Sequence, residues 1–189
     1  MTEAITRLDF SVLYWIQDHL RCGSLDFLMP KITFLGNAGL IWLFTAAVLI
    51  LIPKYRRAGI FLLAGLAAGV LVGNVAMKHL FARPRPCWLD SSVQMLISIP
   101  TDFSFPSGHT LASVTSATIL TCTDRRFGLV AIPLAALIAF SRLYLFVHFP
   151  TDVLASVILG IVIGWAASRC STIRDWRSRL RKFRRSSAP

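Results

Sequence analysis

Two long runs of the chain carry no ionisable side chain: Phe34 to Ile52 and Gly59 to Met77. Each is about as long as a crossing of the hydrocarbon core requires, roughly 20 helical residues. Backbone passing through lipid must satisfy its own N–H and C=O groups, which restricts spanning structure to helices or closed barrels. The runs are continuously apolar rather than alternating, so they predict helices. With 55% hydrophobic residues, 15% charged residues and a mean hydropathy of +0.64, the chain is too apolar for an ordinary soluble domain.

Three weaker segments follow. Thr110 to Cys122 is short and rich in Ser and Thr, Phe127 to Val147 contains Pro133 and Arg142, and Val153 to Ser168 is apolar but brief. All three read as spans, because hydroxyls in a bundle interior can bond neighbouring helices and an ionisable residue can line a wet cavity. The first of them is then the helix most enclosed by protein. Near the N-terminus, Leu8, Val12, Trp15, Ile16 and Leu20 recur at helical spacing, while Asp9 and Asp18 break any uninterrupted apolar core. That pattern predicts an interfacial amphipathic helix and not a cleavable signal peptide. The expected fold is all-α: a polytopic membrane bundle of about five transmembrane helices plus the interfacial helix, residues 1–168 forming one membrane-embedded domain.

The formal charge of +11 comes from 20 Lys and Arg against 9 Asp and Glu, unevenly placed. Lys54, Arg56 and Arg57 fill one connection, Arg125 and Arg126 another, and residues 169–189 form a basic tail. The positive-inside rule makes all three cytoplasmic. The tail reads as a topology-setting segment drawn to anionic membrane lipids. It lacks the aromatic-basic interleaving or motif that nucleic-acid binding would need, so no nucleic-acid partner is expected. Lys78, Arg83, Arg85 and Arg142 then fall at the outer boundary, where cations are normally scarce. Cys22 and Cys87 also fall on that side; the spacing leaves open whether they pair, and scattered thiols more often serve as small core residues.

Three polar clusters meet at this outer face: Lys78 to Pro86, Pro106 to His109, and Ser141 to Asp152. Lys78, Arg85 and Arg142 offer an ammonium and two guanidinium forks, which suit the oxygens of a phosphoryl group. Ser107 and Gly108 precede a helix whose free amides add anion-directed donors. Asp152, four residues beyond His148, can accept the Nδ1 proton and leave Nε2 as a nucleophile. His109 at a helix mouth can act as general acid and then general base. Arg142 and His148 lie six residues apart, about 120° around an unbroken helix, so either the helix ends early or the arginine reaches around.

These residues resemble the type 2 phosphatidic acid phosphatase superfamily, whose three motifs K-x6-R-P, P-S-G-H and S-R-x5-H-x3-D read here as Lys78 with Arg85-Pro86, Pro106-Ser107-Gly108-His109, and Ser141-Arg142 with His148 and Asp152. The resemblance implies His148 as phosphorylated nucleophile, His109 as acid and base, Asp152 as the orienter of His148, and Lys78, Arg85, Ser107, Gly108 and Arg142 as phosphate ligands. It also implies that no metal or cofactor takes part. Arg83 and His79 lie outside the motifs and read as neighbours within reach of a headgroup.

A site facing outward at the bilayer boundary of a cell membrane calls for a lipid (di)phosphate substrate. The small size and the amphipathic N-terminus look like bacterial undecaprenyl-diphosphate phosphatases. Phosphatidylglycerophosphate or phosphatidate phosphatase, and a non-catalytic lipid-phosphate binding or transport protein, are the alternatives. Gly160 and Gly164, one turn apart, predict close helix packing, within one chain or in a homo-oligomer.

Overall fold

The computed structural model describes residues 3–186, with side chains described as far as Arg169. The side chains of the basic tail beyond that point, Cys170 included, lie outside the described residues. Helix α1 spans Glu3–Leu20 and α2 Gly23–Leu35; a 3-10 turn at Asn37–Gly39 leads into α3, Leu40–Leu51. Helix α4, Arg56–Gly69, continues through a π-helical stretch, Val70–Met77, into the short α5, Lys78–Phe81. After α6, Pro86–Leu89, an irregular segment leads to α7, Gly108–Thr123, α8, Arg125–Tyr144, and α9, Pro150–Ser186. Among the described residues there is no strand, so the expected all-α membrane architecture holds.

Among the described residues, three helical stretches are long and apolar enough to cross a membrane: Arg56–Leu89, which runs from α4 to α6, Arg125–Tyr144 and Pro150–Arg169. The first expected span differs in form. It is a bent pair, α2 with α3, whose halves meet at 47°. The cause is local: "GNAG" places Ala38 at φ 50° and Gly39 at φ 71°, left-handed backbone that no helix can absorb. The bent pair begins at Gly23, before the apolar run, and includes Asp26 and Lys31.

Helix α7 has 16 residues, fewer than a crossing needs, and it is the enclosed one, packed against α4, α8 and α9. Its hydroxyls behave differently from expectation. Ser113 accepts from Trp42 Nε1 of α3 at 2.9 Å, but Ser116, Thr118, Thr121 and Thr123 donate to carbonyls one turn back in α7 itself. The neighbouring faces are apolar, so the nearest acceptor for a short hydroxyl is its own helix.

The interfacial helix α1 is amphipathic in an unexpected sense. Leu13 and Ile16 pack against Tyr144, Phe146 and Phe149, whereas Leu8, Val12 and Trp15 stay exposed on an apolar face toward lipid. Its inward side also buries Asp9. Cys22 and Cys87 are free thiols.

The two basic connections are neighbours, since the rings of Tyr55 and Phe127 lie 5.1 Å apart. They occupy the end of the bundle opposite the three polar clusters. Gly160 and Gly164 pack within the chain: a Cβ at Gly160 would lie 2.8 Å from Val114 Cβ, and one at Gly164 would lie 2.7 Å from Thr118 Cβ and 2.8 Å from the Thr115 carbonyl. Because the backbone of α7 cannot yield as a side-chain tip would, Gly164→Val is expected to destabilise the protein by about 1–3 kcal/mol, the usual overpacking range. A fall in Tm of the detergent-purified protein checks this; an unchanged Tm would refute the tight α7–α9 contact.

Candidate active site

Proline and helix ends bring the polar clusters together. Pro84 and Pro86 stop the α5 turn from continuing, so Arg83 and Arg85 project from a stiff loop. Helix α8 ends at Tyr144, and a turn with Phe146 at φ 57° carries the chain to Pro150, the first residue of α9. That early end resolves the six-residue spacing: Arg142 belongs to the helix and His148 to the turn.

Lys78, Arg85, Gly108, His109, Arg142 and His148 all line one cavity of about 890 Å³. The same cavity is lined by Leu43, Leu63, Leu66 and Val70 of α3, α4 and the π-helical stretch. Leu63 precedes Lys78 by some 15 residues along nearly continuous helix, about 22 Å at the helical rise. The cavity thus has a cationic head and a long apolar flank between the bent span and α4.

His148 is almost fully buried. Arg85 Nη1 donates to its Nε2 at 3.1 Å, which leaves the ring hydrogen on Nδ1 and the Nε2 lone pair facing the cavity cations. Asp152 is not the direct acceptor expected from its spacing: its Oδ2 lies 3.7 Å from Nδ1. Ser104 stands between them, its Oγ 3.4 Å from Nδ1 and donating to Asp152 Oδ2 at 2.5 Å. Asp152 Oδ2 also accepts the Phe149 amide at 3.0 Å, closing the start of α9 as a third-position acid does in a capping box. Burial, then the charges of Arg85, Arg142, Lys78 and His109, hold the His148 imidazole well below its usual pKa, so it is neutral at physiological pH.

At the cationic head stands a carboxylate that no motif pointed to. Asp102 accepts from Arg85 Nη2 at 2.6 Å and from Lys78 Nζ, while its backbone carbonyl accepts from Arg85 Nε at 2.7 Å. Burial pushes the Asp102 carboxyl up, but the Lys78 and Arg85 hydrogen bonds and charges prevail and bring it down to about 2. Its side chain is still 54% exposed, whereas the cations are buried.

His109 Nε2 bonds Asn37 Oδ1 at 2.9 Å, so the bend in the first span reaches the site. Arg142 Nη1 donates to Thr33 at 2.5 Å, and its buried Nε has no hydrogen-bond partner among the described residues. Ser107 sits behind the cavity wall: its amide donates to Ser156 at 2.8 Å and its Oγ accepts from Thr110 at 3.0 Å. In front of Gly108 is the Asn74 amide, 3.0 Å from where a Cβ would stand. Arg83 departs from expectation, whereas His79 does not. Arg83 is buried among Asp9, Thr151 and Asp152, away from any headgroup, and exposed His79 bonds the Val75 carbonyl. Asp9, Asn37, Asp102 and Ser104 were missed. Only Ser104 and Asp102 carried a signal, their nearness to the P-S-G-H motif.

The family model for the PAP2 superfamily matches residues 58–176, the stretch that holds every one of these motif residues. The chain belongs to the PAP2 superfamily. An undecaprenyl-diphosphatase of Sulfolobus acidocaldarius is 31% identical over 149 residues, 78% of this chain and 71% of that protein. A decaprenylphosphoryl-5-phosphoribose phosphatase of Mycobacterium tuberculosis is 31% identical over 189 residues, 96% of this chain and 99% of that one. Among solved structures, the PAP2 type phosphatidylglycerolphosphate phosphatase of Bacillus subtilis superposes with a TM-score of 0.75 at 25% identity, covering 90% of this chain and 88% of that chain. This PAP2 protein is a membrane lipid phosphatase.

Asp102 holds the two cations that an incoming anion would need. Asp102→Asn is therefore expected to tighten competitive inhibition by orthophosphate about tenfold, equal to roughly 1.4 kcal/mol. Inhibition constants for both proteins check it, and an unchanged or weaker constant would show that the carboxylate does not compete.

Proposed function

We propose that the protein removes the terminal phosphate of a polyprenyl lipid diphosphate, undecaprenyl diphosphate to undecaprenyl phosphate, through a phosphohistidine intermediate. The observation that carries this reading is the His148 Nε2 lone pair set among Arg85, Lys78 and Arg142 at the head of a cavity whose flank is apolar. Lys78, Arg85 and Arg142 would take the non-bridging oxygens as Asp102 withdraws, with the Arg142 Nε donor ready for one of them. Gly108 would close the cradle at the start of α7, while Ser107, expected as a phosphate ligand, stays behind the wall with its amide held by Ser156. Nε2 attacks phosphorus in line, the P–O bond to the leaving group breaks with its electron pair going to that oxygen, and His109, entering the step as the imidazolium, gives that oxygen its Nε2 proton and is left neutral. The leaving oxygen would take the place of Asn37 Oδ1 at His109 Nε2. Water then attacks phosphorus, His109 takes its proton, the P–N bond breaks and orthophosphate leaves.

The basic connections at the opposite end support an extracytoplasmic site in the cell membrane, with the tail 169–189 on the cytoplasmic side of the catalytic unit 1–168. A second reading has its own support: the end-to-end match to the mycobacterial phosphatase favours a polyprenyl-phosphoryl sugar phosphate, a monoester. Both substrates place a terminal phosphate beyond a long isoprenoid tail.

Phosphate release from undecaprenyl diphosphate, a polyprenylphosphoryl 5-phosphoribose, phosphatidylglycerophosphate and phosphatidate, with EDTA present, discriminates among them. His148→Ala is expected to abolish release while the protein stays folded; retained activity would end the nucleophile assignment. His109→Ala is expected to cost less with a diphosphate than with a monoester, because a departing phosphate needs less protonation than an alkoxide. An equal loss on both would count against the acid role.

A further inference from the structure

Arg83 is a buried guanidinium outside every motif, and it joins the first helix to the start of the last. Its Nη2 donates to Asp9 Oδ2 of α1 at 2.7 Å, and its Nη1 donates to Asp152 Oδ1 at 2.5 Å and to Thr151 Oγ1 at 2.8 Å. Asp9 returns to the same turn, accepting from the Thr151 amide at 3.1 Å and the Thr151 hydroxyl at 2.6 Å. The guanidinium carbon lies 3.9 Å from the centroid of the Phe149 ring, and the Arg83 carbonyl accepts the Ser104 amide at 2.9 Å. Arg83 thus grips, from one side chain and one carbonyl, both groups that stand behind His148.

Resting on the assignment of His148 as nucleophile, we propose that Arg83, clamped by Asp9, is a positioning residue for the reaction: the pair fixes the Asp152 carboxylate and its share of negative charge behind the His148 ring. Asp152 needs such a partner. It sits fully buried, and among the described residues Ser104 and the Phe149 amide are its other hydrogen-bond donors, too few to offset an unpaired buried charge. Yet a single arginine facing Asp152 alone would cancel the charge that a phosphohistidine cation requires. Asp9 divides the guanidinium between two carboxylates, so the trio keeps a net negative charge next to a ring that otherwise faces Arg85, Arg142, Lys78 and His109. Helix α1 becomes a component of the active site through one side chain.

Three variants test this with the lipid of the panel above that the wild type cleaves fastest. Asp9→Asn keeps the shape and is expected to lower kcat about tenfold to a hundredfold, the scale for loss of an outer partner of a functional imidazole, with KM within about twofold because the phosphate cradle is untouched. Arg83→Met leaves two carboxylates behind His148, so the acid limb of the kcat/KM profile is expected to move to higher pH, while Asp9→Asn does not move it up. Arg83→Lys keeps the charge and is expected to restore the wild-type acid limb with partial recovery of kcat; it also serves if Arg83→Met does not fold. Losses of kcat that merely follow the folded fraction, with the acid limb fixed in all three, would overturn the proposal. Failure of the catalytic assignment reads out separately, as activity retained by His148→Ala.

Discussion

Everything at the end of the bundle that holds the polar clusters depends on pairing cations that have left water. Lys78, Arg83, Arg85 and Arg142 are each less than a tenth exposed, among buried apolar side chains and hydroxyls. The desolvation penalty of such groups is several kcal/mol per ion unless geometry and hydrogen bonds repay it. Carboxylates must therefore be brought to them from wherever the chain has any. Asp9 comes from the first helix, Asp102 from the irregular segment before α7 and Asp152 from the first turn of α9. This requirement, more than local propensity, places α1 against α8 and α9 and folds the segment between α6 and α7 inward.

The four cations divide unequally among the three carboxylates, and the division tells structure from site. Arg83 serves two carboxylates and is closed off from the cavity. Lys78 and Arg85 share Asp102, which is half exposed, while Arg142 bonds Thr33 and its Nε has no acceptor among the described residues. The first group is saturated and has nothing to offer a ligand. The second has surplus positive charge, a displaceable counter-ion and an unused donor, the electrostatic condition for taking up a phosphate dianion.

Much of this was legible in the sequence because it lay in composition or short spacing. Apolar runs announced spanning helices, and three clusters with fixed internal distances announced Lys78, Arg85, His109, Arg142, His148 and Asp152. Asp9 and Arg83 were not legible: they are 74 positions apart, and an aspartate in an amphipathic helix reads as a solvent-facing residue until something buried is found opposite it. The direct His148–Asp152 bond failed for a related reason. Four-residue spacing predicts contact only on an unbroken helix, and here the helix starts between the two, leaving room for Ser104. The bend at Asn37–Gly39 carried a signal in its paired glycines, but its consequence, Asn37 meeting His109, needed the packing of two distant helices.

The N-terminal helix gains meaning from this arrangement. One of its faces presents Leu8, Val12 and Trp15 outward, and the other inserts Asp9 next to Thr151 at the head of α9. A helix lying in the headgroup region with an apolar outer face is held there by lipid. Its inner face is held by a buried ion pair and by Leu13 and Ile16 against Phe146 and Phe149. The two anchors act on one rigid body, so the depth at which lipid holds α1 and the position of Asp9 are mechanically the same variable. The turn carrying His148 hangs from that same contact, through Phe149 and Thr151, so the ring takes its position from α1 as well as from α9.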